Sequence, residues 1–332
     1  MSFGWWGEVP IMHTPETRAS GFWQTGGVSL PLIVLVGPTA TGKSGLAVDL
    51  ALALAERGHP AEVVNADSML VYRGMDIGTA KPTVEERREV PHHLIDIAEV
   101  TERASVADFQ RLARATIADL RARGVIPILV GGSALYTRAI TDRFEFPASD
   151  VDVRARWEQE LDRVGPYALH SRLAELAPES AAAIEPANGR RIVRALEVLE
   201  LTGGHAPVIP EWTYELEDVH QFGLNLDRAE LDRRIDLRVE QMWEQGLVKE
   251  VSALLERGLR DGVTAIRAIG YRQVVAFLDG ELTEAEARAE VQRATRRFFR
   301  RQLGWYRRDP RITWLDATSP AAVQSVLTGI DL

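Results

Sequence analysis

The sequence predicts an α/β protein: a parallel sheet flanked by helices, with an all-helical insertion. Three observations carry that expectation. The wholly apolar run Leu32–Val36 leads through a glycine loop into an apolar helical stretch at 44–56. Two more short strand-like runs, Ala61–Asn65 and the buried 125–130, follow with a helical pattern between them. Past Pro147 the strand signals stop, and helical stretches succeed one another.

Taken in order, the first strand runs into GPTATGKS, which fits the phosphate-binding pattern with Gly37, Gly42, Lys43 and Ser44 in register. Backbone N–H groups there wrap an anionic oxygen cluster, Lys43 adds a point charge and the helix N-terminus adds its dipole. A polyphosphate is the expected ligand. The loop alone leaves open whether a phosphoryl group is transferred. The second strand, Ala61–Asn65, is followed at once by Asp67. Ser105 with Asp108 opens an amphipathic helix ending near Gly124, and the strand 125–130 lies between Gly124 and Gly131. Ligands of such sheets bind beyond the carboxyl ends of the strands, which is where the glycine loop, Asp67 and Ser133 fall.

Helices at about 152–164, 166–177 and 189–201 are separated by VGP, APES, EPANG and LTGGHAP, so 141–218 reads as a helical insertion between core segments 31–140 and 219–320. The second core segment supplies a possible strand at 219–224 and helices at about 227–245, 247–257 and 283–308. Thr283 and Glu286 form a capping box for the last of these. RITWLD is expected to return to the sheet edge, and 321–332 to form a tail. Residues 1–30 carry Trp5, Trp6 and Trp23 without periodicity or a secretory pattern and read as a flexible extension.

The 332 residues are 45% hydrophobic, enough for a full core. No apolar run approaches the roughly 20 residues that cross a bilayer, and cysteine is absent. A soluble, cytoplasmic protein is expected, without disulfides or thiolate metal sites. The formal charge of −9 argues against nucleic acid only if it is evenly spread. It is not: arginines at 293, 296, 297, 300, 301, 307, 308 and 311 face the single carboxylate Asp309.

Asp67 lies in NADSMLVYRGMDIGTAKP, whose polar and glycine residues Ser68, Tyr72, Arg73, Gly74, Gly78, Thr79 and Lys81 suit a loop folded around a ligand. A carboxylate there can accept a proton from a bound nucleophile, hold Mg²⁺ through water, or simply cap a helix. Ser44 stands where phosphate loops present a Mg²⁺ ligand. The run 125–130 ends in Gly131, Gly132 and Ser133, without the second magnesium carboxylate of many NTPases, which argues against NTP hydrolysis. Adjacent His92 and His93 point apart and read as structural hydrogen-bonders. Arg228, Arg234 and Arg238 recur along one helix. They either solvate a face, as the Glu230–Arg234 spacing suggests, or clamp a diphosphate. RATRRFFRRQLGWYRRDPR interleaves arginines with Phe298, Phe299, Trp305 and Tyr306, offering phosphate contacts and stacking surfaces, with some aromatics packing inward.

Together GPTATGKS, NADSMLVYRGMDIGTAKP, HHLIDI, GGSALY, RRIVRALEV, RRIDLRVEQM, AIRAIGYRQ and TRRFFRRQLGWYRR resemble, in order over about 32–316, the tRNA dimethylallyltransferase (isopentenyltransferase) family. The resemblance implies a P-loop nucleoside-kinase-like core and transfer of a five-carbon allylic group from dimethylallyl diphosphate to N6 of the adenosine 3′ of the anticodon. It implies Asp67 as general base, with Lys43, Arg234 and Ser44 with Mg²⁺ as the catalytic group on diphosphate. Gly37, Thr39, Ala40, Thr41 and Gly42 complete the diphosphate site. Asp67, Ser68, Met69, Leu70, Ser133, Arg190, Arg191, Arg194, Arg267, Gly270, Tyr271, Arg272, Arg300, Arg301, Gln302, Trp305 and Arg307 would contact tRNA, with the helical insertion gripping the anticodon stem. A monomer is expected. Thr41, the GGSALY segment and Leu70 depart from the family's commoner residues, which touches fine positioning only. The rivals are a small-molecule or nucleotide kinase, which has no use for the basic aromatic helix, and a nucleotide-gated RNA-binding module, which would tolerate loss of Asp67.

Overall fold

A computed structural model describes residues 30–147, 149–203 and 212–330, so the tryptophan-bearing extension and most of the LTGGHAP break lie outside it. The first half of the core runs β1 (Leu32–Val36), α1 (Lys43–Glu56), β2 (Ala61–Asn65), α2 (Val84–Arg87), β3 (His92–His93), α3 (Val106–Ala122), β4 (Ile126–Gly131) and α4 (Ala134–Thr141). The helical segment holds α5 (Val151–Leu176), α6 (Pro178–Ala182) and α7 (Gly189–Thr202). The chain then gives β5 (Val219–Asn225), α8 (Arg228–Glu244), α9 (Leu247–Glu256), α10 (Tyr271–Leu278), α11 (Glu284–Tyr306), β6 (Thr313–Asp316) and α12 (Ala322–Gly329).

All five strand pairings are parallel, in the order β3-β2-β4-β1-β5-β6. β1 is central because all five of its residues are apolar and find cover on both faces. Leu32, Val34 and Val36 face the core beneath α3, α9, α10 and α11, whereas Ile33 and Leu35 face α1 and α12. Residues 321–332, expected to be a tail, contribute α12. Val326, Leu327 and Ile330 are buried against the α1 face, each apolar side chain contributing about 1.5–3 kcal/mol if fully covered. RITWLD does return as the edge strand β6. His92 and His93 form the opposite edge, where His93 Nε2 meets Glu62 Oε2 at 2.6 Å and His92 Nδ1 meets the Val90 carbonyl at 2.8 Å.

The helices α5–α7 enclose a separate small core of Leu169, Leu173, Ala181, Ile192, Val193 and Leu196. The two helices expected on either side of the VGP break are both present within Val151–Leu176, separated at Gly165, whose non-helical backbone (φ 79°, ψ 166°) precedes Pro166. The neck of this unit is closed. Asp142 pairs antiparallel with Tyr214, and Glu215 N donates to the Thr141 carbonyl at 2.8 Å. Asp142, wholly buried, accepts from Arg138 Nε at 2.9 Å and from both Arg311 terminal nitrogens at 3.0 and 3.1 Å. The Arg311 guanidinium also lies 3.9 Å above the Tyr214 ring.

Candidate active site

The carboxyl ends of β1, β2 and β4 open on one side of the sheet, and the phosphate loop, Asp67 and the GGS turn leave from there. Gly42 caps α1 in the left-handed region (φ 89°) and brings no side chain to the cap, so the first amides of α1 stay open to an anion. Thr41 is buried and its hydroxyl donates to the Pro38 carbonyl at 2.9 Å, which holds the loop in shape. Lys43 Nζ donates to the same carbonyl at 2.6 Å. Burial pushes the Lys43 ammonium down to about 7; Asp67 opposes the shift and Arg238 adds to it.

Two cavities meet beside this loop. The first, about 420 Å³, is lined by Thr39, Ala40, Gly42, Lys43, Ser44, Leu70, Glu85, Glu86 and Gly132, among others. The second, about 460 Å³, has apolar walls from Met69, Val239, Met242, Val291 and Phe298, and guanidinium groups from Arg267, Arg272, Arg297 and Arg301. Thr39, Asp67, Thr79 and Arg238 line both. Asp67 is fixed by its own neighbours: its N–H donates to Asn65 Oδ1 at 2.7 Å, and its Oδ1 accepts from Met69 N at 2.9 Å. The local capping contact is thus made by Oδ1. Oδ2 lies on the Gly132 side, 3.8 Å from where a Cβ on that glycine would stand. Gly131 is required for the same approach, since a Cβ there would come within 2.6 Å of the Ala66 carbonyl oxygen.

The structure corrects several sequence expectations. Arg238, not Arg234, is the arginine of α8 that reaches both cavities. Arg234 Nε instead donates to Glu230 Oε1 at 2.7 Å, one turn back along the helix. Burial lowers the pKa of Arg238, against the pull of Glu86 and Asp67, so its charge is held in a poorly hydrated place. Tyr271, with none of its surface exposed, and buried Gly270 do not reach an RNA surface. Gln302, 5% exposed, packs between loops: its Nε2 donates to the Gly132 carbonyl at 2.5 Å and its Oε1 accepts from Thr39 N at 3.3 Å. Arg194 is engaged within the helical unit, donating to the Pro147 carbonyl at 2.8 Å and pairing with buried Glu197. Arg300 and Arg307 line a third cavity with Arg228 on the opposite face of α11. Ser68, Met69, Ser133, Arg267, Arg272 and Arg301 do line the second cavity, while Leu70 lines the first. Trp305 is partly exposed on α11, and Arg190 and Arg191 are both exposed in the first turn of α7. Phe299 and Tyr306 pack inward, leaving Phe298 and Trp305 outward.

Residues 70–309 match the family model described as IPP transferase. The chain belongs to the IPP transferase family. A curated family member from Thermobifida fusca, a tRNA dimethylallyltransferase, is 60% identical over 88% of this chain and 92% of its own. Another of that name, from Salinispora arenicola, is 57% identical over 90% and 86%. Among solved structures, the full-length tRNA isopentenylpyrophosphate transferase of Bacillus halodurans superposes with a TM-score of 0.65 at 42% identity, covering 91% of this chain and 94% of that one. A eukaryotic dimethylallyltransferase described as acting on tRNA gives a TM-score of 0.74 at 26% identity, over 90% and 78%. The family's fold, a parallel six-stranded sheet flanked by helices, is the fold observed. Among the described residues no helix is long and apolar enough to cross a membrane.

Proposed function

We propose that this protein transfers the dimethylallyl group of dimethylallyl diphosphate to N6 of the adenosine 3′ of the tRNA anticodon, position 37, and releases diphosphate. The observation that carries the reading is the meeting of a cavity lined by the phosphate loop and an apolar, arginine-rimmed cavity at Asp67. The named relatives support the same chemistry. The kinase alternative is disfavoured by the turn after β4, where two glycines stand against Ala66 and Gln302 and leave no place for a second metal carboxylate.

The N6 lone pair is delocalised into the purine, so the amine needs help to attack. Asp67 Oδ2 accepts one N6 proton as the nitrogen lone pair forms the bond to C1. The C1–O electron pair leaves with diphosphate. Negative charge grows there, and Lys43, Arg238 and the amides of the loop stabilise it more as the bond breaks. The base must leave the anticodon-loop stack to reach Asp67; Phe298 and the apolar wall of the second cavity receive it. Outward arginines of α11, with Arg190, Arg191, Arg267 and Arg272, take the RNA backbone, and α5–α7 hold the anticodon stem.

The site suits Mg²⁺. The exposed Ser44 beside the loop, with Glu85 and Glu86 on the far rim, offers few protein oxygens, which matches an ion that keeps its waters and shares substrate phosphates. When bound, Mg²⁺ neutralises charge on the departing diphosphate. The protein acts as a monomer in the cytoplasm. Incubation with labelled dimethylallyl diphosphate, unmodified tRNA and Mg²⁺ gives prenylated tRNA without ATP. Asp67→Ala lowers the rate about 10²–10⁴-fold with tRNA affinity nearly unchanged. A requirement for ATP, or a fully active Asp67→Ala, overturns the reading.

A further inference from the structure

Of the four residues that line both cavities, only Thr79 has no part in the chemistry above. It follows a segment whose shape is imposed from far along the chain. Glu250 on α9 turns its carboxylate into three consecutive amides: Oε2 accepts from Ile77 N at 2.7 Å and Asp76 N at 3.1 Å, and Oε1 from Gly78 N at 3.2 Å. Tyr271 donates its hydroxyl to the same Oε1 at 2.6 Å. Its ring lies so close to Gly78 that a Cβ there would stand 2.5 Å away. Lys81 secures the other side, donating to Asp76 Oδ1 at 2.7 Å and to the Tyr72 carbonyl at 2.8 Å.

Within this frame the Thr79 hydroxyl donates to the Met75 carbonyl at 2.6 Å. A threonine hydroxyl has one proton; with that proton turned inward, Oγ1 offers the cavity junction only lone pairs. An exocyclic amine about to be alkylated carries two N–H groups. Asp67 Oδ2 takes the one that will be lost. The other needs an acceptor that fixes the plane of the amine while its lone pair turns toward carbon.

We propose that Thr79 Oγ1 accepts this second N–H, and that Glu250 is a positioning residue acting through the 76–78 amides to hold it there. The assignment rests on the amine-alkylation reading and deepens it. It also gives the site a preference: a primary amine bridges Asp67 and Thr79, whereas the secondary amine of the product has lost one of the two contacts and is not alkylated again.

The test is a double-mutant cycle on prenyl transfer, with tRNA affinity measured separately. Thr79→Val keeps the branched shape and removes the hydroxyl; it is expected to lower kcat about 10- to 100-fold, the worth of one such hydrogen bond, with tRNA Kd within about twofold. Thr79→Ser restores most of the rate. Glu250→Gln lowers kcat similarly, and combining it with Thr79→Val costs little more than the worse single change, because both remove one contact. Tyr271→Phe replaces Glu250→Gln in the cycle if the latter does not fold. A wild-type rate for Thr79→Val, no rescue by serine, or losses that multiply in the double variant overturns the assignment. If the wild type itself transfers no prenyl group to tRNA, it is the broader functional reading that falls.

Discussion

Lys43 makes the proposed donor site measurable through protons. Its ammonium sits at about 7 in the free protein because burial withholds water from the charge. A diphosphate displacing the Pro38 carbonyl as its partner favours the charged form and returns it toward the ordinary lysine value of about 10.4. The free pKa is the lower and the bound the higher, so affinity is fully present below pH 7 and falls as pH rises between the two. At pH 8 the free lysine is about one-tenth protonated and the complex almost fully, so binding takes up about 0.9 proton; at pH 6 it takes up about 0.1. Over the same range affinity drops by up to about tenfold per pH unit, roughly 1.4 kcal/mol. Titration calorimetry with inorganic diphosphate in two buffers of different ionisation enthalpy reads the uptake, and Lys43→Met supplies the background from the ligand's own ionisation. Arg238→Met, which removes a neighbouring positive charge, shifts the break to higher pH. Equal uptake at pH 6 and pH 8, or the same pH dependence in Lys43→Met, would refute the reasoning.

Replacing Arg238 by Gln is expected to weaken diphosphate binding by about 1.5–3 kcal/mol, as for a hydrogen bond to a charged group. Arg234→Gln only breaks a partly exposed pair with Glu230 and should cost less than about 1 kcal/mol in the same competition assay. Arg301→Gln is expected to lower tRNA affinity and to flatten the slope of log K against log salt by about 0.7, read by filter binding at several salt concentrations. Asp142→Ala leaves Arg138 and Arg311 facing an emptied, water-poor neck and should cost about 3–5 kcal/mol in urea denaturation.

Much of this was legible in sequence because it depends on local pattern. β1 and β4 are short apolar runs and β2 a short valine-bearing one, each between glycine or loop breaks, and α11 carries its own capping box at Thr283 and Glu286. β3 was not, because a two-residue edge strand has no period of its own and forms only when β2 offers its edge. α12 reads as a tail in sequence because its burial depends on the α1 face and β5. Periodicity placed Arg234 and Arg238 on one helical face but cannot tell which of two residues a turn apart meets a cavity. That choice belongs to the packing of α8 against the sheet. The contacts of Gln302, Glu250 and Tyr271 escaped for a related reason: their partners lie 263, 174 and 21 residues away in the chain. Polar side chains in a basic or loop-rich stretch look alike until the distant backbone they bind is in place.

The contact between Gln302 and the Thr39 amide ties α11 to a loop synthesised 263 residues earlier. β1 also waits for β5, which is not synthesised until residue 219. A nascent chain therefore carries its complete anion-binding sequence long before that sequence has its working shape. Premature release upstream of α11 yields a protein with the motif and without the geometry.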